Sequence, residues 1–159
     1  YFDKLPDSEK KKHKLMMIGG GPLEEEIRSL ISKEGLDNSV YVTGRFADED
    51  QIKYYSSLDV FVHPSLAEGF GMVLIESMVS GIPTLASDLE VFEEVAGDTI
   101  TTFKTGNPNS LTEKMKEMHS NYPKKKELAF KAQERAAKLF SYKHFIDAYE
   151  QYYLSLMRL

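Results

Sequence analysis

"DVFVHPSLAEGFGMVLIESMVSGIPTLAS", residues 59–87, decides the fold. Residues 59–63 (DVFVH) form a short apolar run stopped by Pro64-Ser65, which reads as a buried strand. Residues 70–80 are apolar nearly all round, which predicts a buried helix. Gly81-Ile82-Pro83 then turns into residues 84–87 (TLAS), a second strand. The strands are short and show little alternation of apolar and polar residues. That pattern indicates a parallel sheet covered on both faces.

The same rhythm runs outward in both directions. Upstream, residues 14–18 (KLMMI) read as a strand ending at Gly19-Gly20-Gly21-Pro22. Residues 23–33 carry apolar side chains at 23, 27, 30 and 31, a helical spacing that Gly35 closes. Residues 40–43 (VYVT) are a strand stopped by Gly44, and residues 48–58 open on acids, as a helix start should. Downstream come a short helix at 90–96 and a last strand at 99–103 (TITTF). From Pro108 onward the chain reads as helical. Leu111, Met115 and Met118 share one face, and Leu128, Ala132, Ala136 and Leu139 share another. Phe145, Tyr149, Tyr152 and Leu156 form a stripe on the final helix. The lysine runs 10–12 and 124–126 fall in turn-like stretches and read as solvated charge.

Composition narrows the function classes. With 159 residues the chain suits a single domain with a sizeable core, and 42% hydrophobic against 28% charged residues fits a globular protein. The net charge of −5 argues against nucleic acid as a partner, which would call for a basic face. The chain has no cysteine, so disulfides and cysteine-based zinc sites are excluded and a cytoplasmic setting is permitted. No apolar run approaches a membrane span. The first residue is Tyr1, so the sequence reads as a piece of a longer protein.

Several familiar motifs fail on inspection. The Gly19-Gly20-Gly21 turn is not a dinucleotide fingerprint, because Glu24 occupies the third glycine's place, and no Gly-Lys-Ser/Thr completes a P-loop. Asp48-Glu49-Asp50 spells Asp-x-Asp, but at a helix start its acids match the helix dipole better than a metal. His13, His63, His119 and His144 show no metal-ligand spacing, so no metal site is expected. His63 alone stands at a strand's carboxyl end, where open α/β sheets place ligands; a structural role competes with that reading.

The helix start at residues 68–77 (EGFGMVLIES) carries more chemistry. Its first N–H groups bear partial positive charge and offer a seat for a phosphate. Gly69 and Gly71 let backbone approach a ligand and permit unusual dihedrals. Glu76 lies five residues beyond Gly71, roughly 7 Å along a helix axis. Its sequence neighbours are apolar, so its carboxylate needs strong hydrogen bonds, which ribose hydroxyls would supply. The competing reading is that Glu76 bonds a backbone turn and the glycines only tighten a loop.

At these residues the sequence resembles a known family. "HPSLAEGFGMVLIESMVSGIPTLASD" is similar to the signature of retaining glycosyltransferases of the GT-B fold, with two glutamates eight residues apart around Gly-Phe-Gly. "KLMMIGGGP", "NSVYVTGRF", "DLEVFEEVAGD" and "NPNSLTEKM" resemble the family's flanking segments, so the likeness runs from about Leu15 to Tyr153. It implies an α/β, three-layer Rossmann-like domain with a parallel sheet and a helical C-terminus, the C-terminal half of a GT-B fold. Residues 1–159 would form one nucleotide-sugar-binding domain. The resemblance places Glu68 beside the sugar ring as the catalytic position. The amides of Phe70, Gly71, Met72 and Val73, following Gly69, would hold the diphosphate and sugar. Glu76 would take the ribose, Arg45 and Phe46 would border the base, and Gly20 would sit among the donor-binding residues.

The substrate so implied is a nucleoside diphosphate sugar, UDP- or GDP-linked, with no metal or other cofactor required. The acceptor would be a glycan or lipid-linked chain, in polysaccharide biosynthesis, bound through an N-terminal domain this sequence lacks. The protein would be cytoplasmic, working at the inner face of the membrane in full-length form. The family's first strand and helix carry an Arg and a Lys that neutralise the leaving diphosphate. Nothing here matches them, since Tyr1 to Leu5 resembles only the end of that helix. This piece alone is therefore expected to be inactive. The family's C-terminal helix crosses to the missing domain, so the aromatic stripe is expected to be exposed and available for self-association, unless it packs on its own domain. The rival readings are a nucleotide-sugar epimerase on the same fold, a non-catalytic nucleotide-sugar-binding module, and a flavodoxin-like signalling domain.

Overall fold

A computed structural model describes residue 1 and residues 5–157, leaving aside the side chains of Asp7 and Asp48. Residues 2–4, within the stretch that resembles a helix end, lie outside the described residues. The chain divides into two compact units, residues 1–57 and 58–159.

The first unit begins with a single helical turn, α1 (Asp7–Lys10), and pairs β1 (Leu15–Met17) with β2 (Val40–Val42). The strands are parallel, with Leu15 opposite Val40 and Met17 opposite Val42. Parallel strands need a crossover, and α2 (Glu24–Lys33) provides it. Glu24, Glu25 and Glu26 fill its first turn and Lys33 its last, each matching the helix dipole. Gly35 follows at φ +65°, the left-handed turn that ends a helix. The predicted helix over 48–58 divides. Its acids form a 3₁₀ turn (Asp48–Asp50), and only α3 (Gln51–Ser56) is α-helical.

The second unit carries a three-stranded parallel sheet in the order β3 (Phe61–His63), β4 (Thr84–Ser87), β5 (Thr101–Phe103). All four residues of the central strand β4 are buried. The pleat sends Leu85 and Ala86 to opposite faces, and each face has its own core. Ala86 meets Leu74, Ile75 and Met78 of α4 (Met72–Val79), Phe92, Val95 and Ala96 of α5 (Glu90–Ala96), and Ala132 and Ala136 of α7 (Tyr122–Leu139). Leu85 meets Phe103, Met118, Leu111 and Met115, the last three from α6 (Pro108–Ser120). Helices thus cover both faces of a parallel sheet, the three-layer arrangement expected.

Three local expectations need correction. The helix over 70–80 was expected to be buried all round, but Met72, Val73 and Val79 are 57%, 39% and 51% exposed. An outer-layer helix buries only the stripe facing the sheet and its neighbours, here Leu74, Ile75, Ser77 and Met78. On α7 the buried stripe is Ala129, Ala132 and Ala136, while Leu128 and Leu139 are only half-buried. The small side chains let α7 pack closely on the core. Lys125, in a run read as solvated, has a side chain only 15% exposed. Its Nζ donates to Glu117 Oε1 at 2.6 Å and to Thr101 Oγ1 at 3.0 Å, tying α7 to α6 and β5.

The last helix, α8 (Tyr142–Leu156), starts at Ser141, whose hydroxyl accepts the His144 N–H. None of its residues is buried, and Tyr149 and Tyr152 are 52% and 62% exposed, so the stripe is left largely exposed. Among the described residues, no helix is long and apolar enough to cross a membrane.

Candidate functional site

The sequence-predicted residues of the second unit sit on one continuous segment at the carboxyl end of β3. Pro64 has no N–H to continue the strand, and a loop runs from there to α4. Gly71 is the N-cap of α4 at φ +84°, ψ 40°, a left-handed conformation that L side chains rarely adopt. Its carbonyl accepts from Leu74 N and Ile75 N at 3.0 and 3.1 Å. Among the described residues, the Phe70, Gly71 and Met72 N–H groups make no backbone hydrogen bond. Such donors at a helix start form a ready anion site.

The two glycines of this loop do different work. A Cβ on Gly71 would stand 3.1 and 3.3 Å from Cε1 and Cδ1 of Phe92, a ring with no exposed surface. Gly69 has an ordinary φ and nothing within 4 Å of such a Cβ. Gly71 is therefore required by conformation and packing, whereas Gly69 leaves open space beside the loop. The Phe70 ring is 54% exposed and meets Phe140 edge-on at 6.2 Å. A cavity of about 290 Å³ adjoins it, lined by Gly69, Phe70, Val91, Glu94, Leu139 and Phe140 among others.

The two glutamates occupy different settings. Glu68 lies in the loop, where its Oε1 is 3.2 Å from His63 Nε2 and accepts from Ser65 Oγ at 3.1 Å. Ser65 Oγ is also 3.4 Å from His63 Nε2. Both contacts of His63 use one nitrogen, so the imidazole cannot relay a proton from Ser65 to Glu68 through its two ends. A serine nucleophile is not built here. Glu76 lies one helical turn past Met72 and is half-buried. Its neighbours at helical spacing are the exposed Met72, Val73, Val79 and Ser80, so its side chain is less enclosed than its apolar sequence context suggested.

In the first unit, an antiparallel bridge between Gly19 and Gly44 brings together the turns that follow β1 and β2. Gly20 is at a close approach, since a Cβ there would stand 2.9 Å from the Arg45 backbone N. Arg45 is exposed, and Phe46 is half-buried with its ring edge-on to Tyr54 at 5.1 Å. Asp50 of the Asp-x-Asp stretch bonds Lys53 at 2.6 Å. Among the described residues, no group of three or more His, Cys, Asp or Glu could hold a metal ion.

Sequence reasoning missed three contributors. Ser65 reaches Glu68 over three residues, a spacing visible in the sequence but unremarkable there. Phe92 supports both Gly71 and the His63 ring, the latter at 5.2 Å between centroids, and nothing local announces so distant a partner. Asp88, just past β4, accepts the Thr105 N–H at 2.7 Å and its O–H at 2.6 Å. Those bonds hold its carboxyl below the usual range.

Comparison with known proteins bears on the family and the fold. The family model for glycosyl transferases group 1 matches residues 1–135. An O-antigen biosynthesis glycosyltransferase of Escherichia coli is 36% identical over 103 residues, covering 64% of this chain and 29% of that protein. A sucrose-phosphate synthase from Thermosynechococcus elongatus superposes with a TM-score of 0.78 at 25% identity, over 91% of this chain and 39% of that one. The Anabaena protein HepE, solved in complex with UDP-glucose, gives 0.76 at 23% identity, over 92% of this chain and 41% of its own. The chain thus spans well under half the length of these relatives.

Proposed function

The chain belongs to the glycosyl transferases group 1 family, and from that premise we propose that it is the donor-binding part of a retaining glycosyltransferase. Its ligand is a UDP- or GDP-linked hexose, and the acceptor of the complete protein is a glycan or lipid-linked chain. The observation that carries this reading is the left-handed Gly71 N-cap, which starts α4 between Glu68 in the loop and Glu76 in the helix. The amides of residues 70–73 take the diphosphate, Glu76 the ribose hydroxyls, and Glu68 the sugar. No metal is required, because helix-start amides supply the positive potential.

The test is thermal denaturation with UDP, GDP and ADP added to wild type and to Glu76→Ala. A ligand at one hundred times its Kd stabilises the folded state by about 2.7 kcal/mol. One diphosphate is expected to raise the wild-type melting temperature, with most of that rise lost in Glu76→Ala. A wild type that none of the three stabilises at millimolar concentration refutes the donor-site assignment.

A further inference from the structure

We propose that His63 is a positioning residue that holds the Glu68 carboxylate in place for the sugar of the donor. The inference rests on the donor-site reading above and adds a residue to it.

His63 ends β3 with a side chain only 14% exposed. Its ring is stacked on Phe61 at 5.8 Å with an interplanar angle of 23°, and lies against Phe92 at 5.2 Å and 43°. Phe61 is its neighbour along the strand, and Phe92 belongs to the core, so the imidazole is held from two sides. Glu68, by contrast, sits on a loop five residues later, with nothing in its own backbone to fix its side chain. The anchored ring sets Nε2 at 3.2 Å from Glu68 Oε1, and because a carboxylate oxygen only accepts, this contact assigns the proton to Nε2 and makes it a fixed donor. The Ser65 hydroxyl reaches the same oxygen at 3.1 Å. Two donors converge on Oε1, and Oε2 takes neither of these bonds.

That division suits a carboxylate whose work is to accept a hydroxyl. An unrestrained glutamate loses rotamer freedom when it orders. If His63 and Ser65 order it during folding, that cost is already met before the sugar arrives. The interaction is specific to the sugar: a nucleoside diphosphate lacking the hexose has nothing to offer Glu68.

Two substitutions separate positioning from packing. His63→Phe keeps an aromatic ring between Phe61 and Phe92 but removes the donor. His63→Gln removes the ring but returns an amide N–H near the Nε2 position. Titration calorimetry with UDP and UDP-glucose, and with GDP and GDP-mannose, reads both variants. His63→Phe is expected to bind the diphosphates within about twofold of wild type and to lose roughly fivefold to tenfold in affinity for the sugar nucleotide, the effect of one hydrogen bond. His63→Gln is expected to recover most of that loss although its melting temperature is the lower of the two. In a Glu68→Ala background His63→Phe should have no further effect, because the pair acts as one unit.

Equal sugar-nucleotide affinity in His63→Phe and wild type would overturn the proposal and leave the donor site standing. So would an undiminished effect of His63→Phe in the Glu68→Ala background. Failure of every probe to bind wild type would remove the donor site, and this inference with it.

Discussion

Replacing Gly71 by Ala tests the helix start most directly. The backbone there is at φ +84°, and an L residue in that region carries roughly 1–2 kcal/mol of strain. The added Cβ would stand 3.1 Å from Cε1 and 3.3 Å from Cδ1 of Phe92. That ring is fully buried among Leu74, Ile75, Val95 and Ala96, so it cannot swing into solvent. Forcing extra volume against a packed ring costs about 1–3 kcal/mol. The two effects together predict a loss of roughly 2–5 kcal/mol. At about 3 °C per kcal/mol for a chain of this size, the melting temperature falls by roughly 6–15 °C. The control is Gly69→Ala, whose Cβ meets nothing within 4 Å and whose φ is ordinary. It should melt within about 2 °C of wild type, since alanine there costs little and restricts the unfolded chain. Both variants are read by circular dichroism melting and urea titration. If Gly71→Ala melts within 2 °C of wild type, or if Gly69→Ala is the more damaging, the account of the loop is wrong.

Three other outcomes follow from contacts elsewhere. Hydrogen bonds from Lys114 and Lys125 depress the Glu117 carboxyl from 4.5 to about 2. A depressed carboxyl contributes stability that is fully present above its unfolded pKa and is lost as pH falls through the folded value. Glu117→Gln should therefore flatten the acid dependence of urea stability between about pH 4.5 and 2; an unchanged slope contradicts the pairing. Asn107→Ala removes the side-chain cap that accepts Ser110 N at 3.0 Å, and should cost about 1 kcal/mol by urea titration. Phe92→Ala should cost about 3–5 kcal/mol and unseat the His63 ring, which the imidazole proton NMR shift would register.

What was legible in the sequence was periodic or local. Residues 84–87 and 90–96 appear as β4 and α5 with the expected bounds, because short runs between Gly, Pro and Asp leave little choice. Gly69 and Gly71 read alike in the sequence, but only Gly71 has the unusual dihedral and a close neighbour, because Phe92 lies against it and nothing lies against Gly69. Burial around a helix was not legible, since apolarity at Met72, Val73 and Val79 does not reveal how many neighbours a helix has. Lys125 was misread because its partners, Glu117 and Thr101, lie 8 and 24 residues away. His63 was weighed without Glu68, although the two are five residues apart, because a loop's path is not periodic.

The carboxyl ends of the three parallel strands share one further property, which bears on how a ligand would be met. The turn after β3 is held by His63, Ser65 and Glu68, and the turn after β4 by Asp88 reaching Thr105. The turn after β5 is closed by Ser110 Oγ, which accepts the Lys104 N–H at 3.0 Å. Leu66 lies beside it, since a Cβ added at Gly106 would stand 3.8 Å from Leu66 Cδ2. The opposite requirement governs the middle of the sheet, where β4 is buried throughout and apolar packing fixes it. At the strand ends apolar burial would close the ground a polar ligand needs, so side-chain hydrogen bonds do the ordering instead. Turns ordered from within lose little entropy on binding. Donor binding is therefore expected to leave amide exchange in the turns after β4 and β5 nearly unchanged, while protecting the amides of residues 70–73. Strong new protection after β4 and β5 would mean that the ligand, and not the chain, orders this end of the sheet.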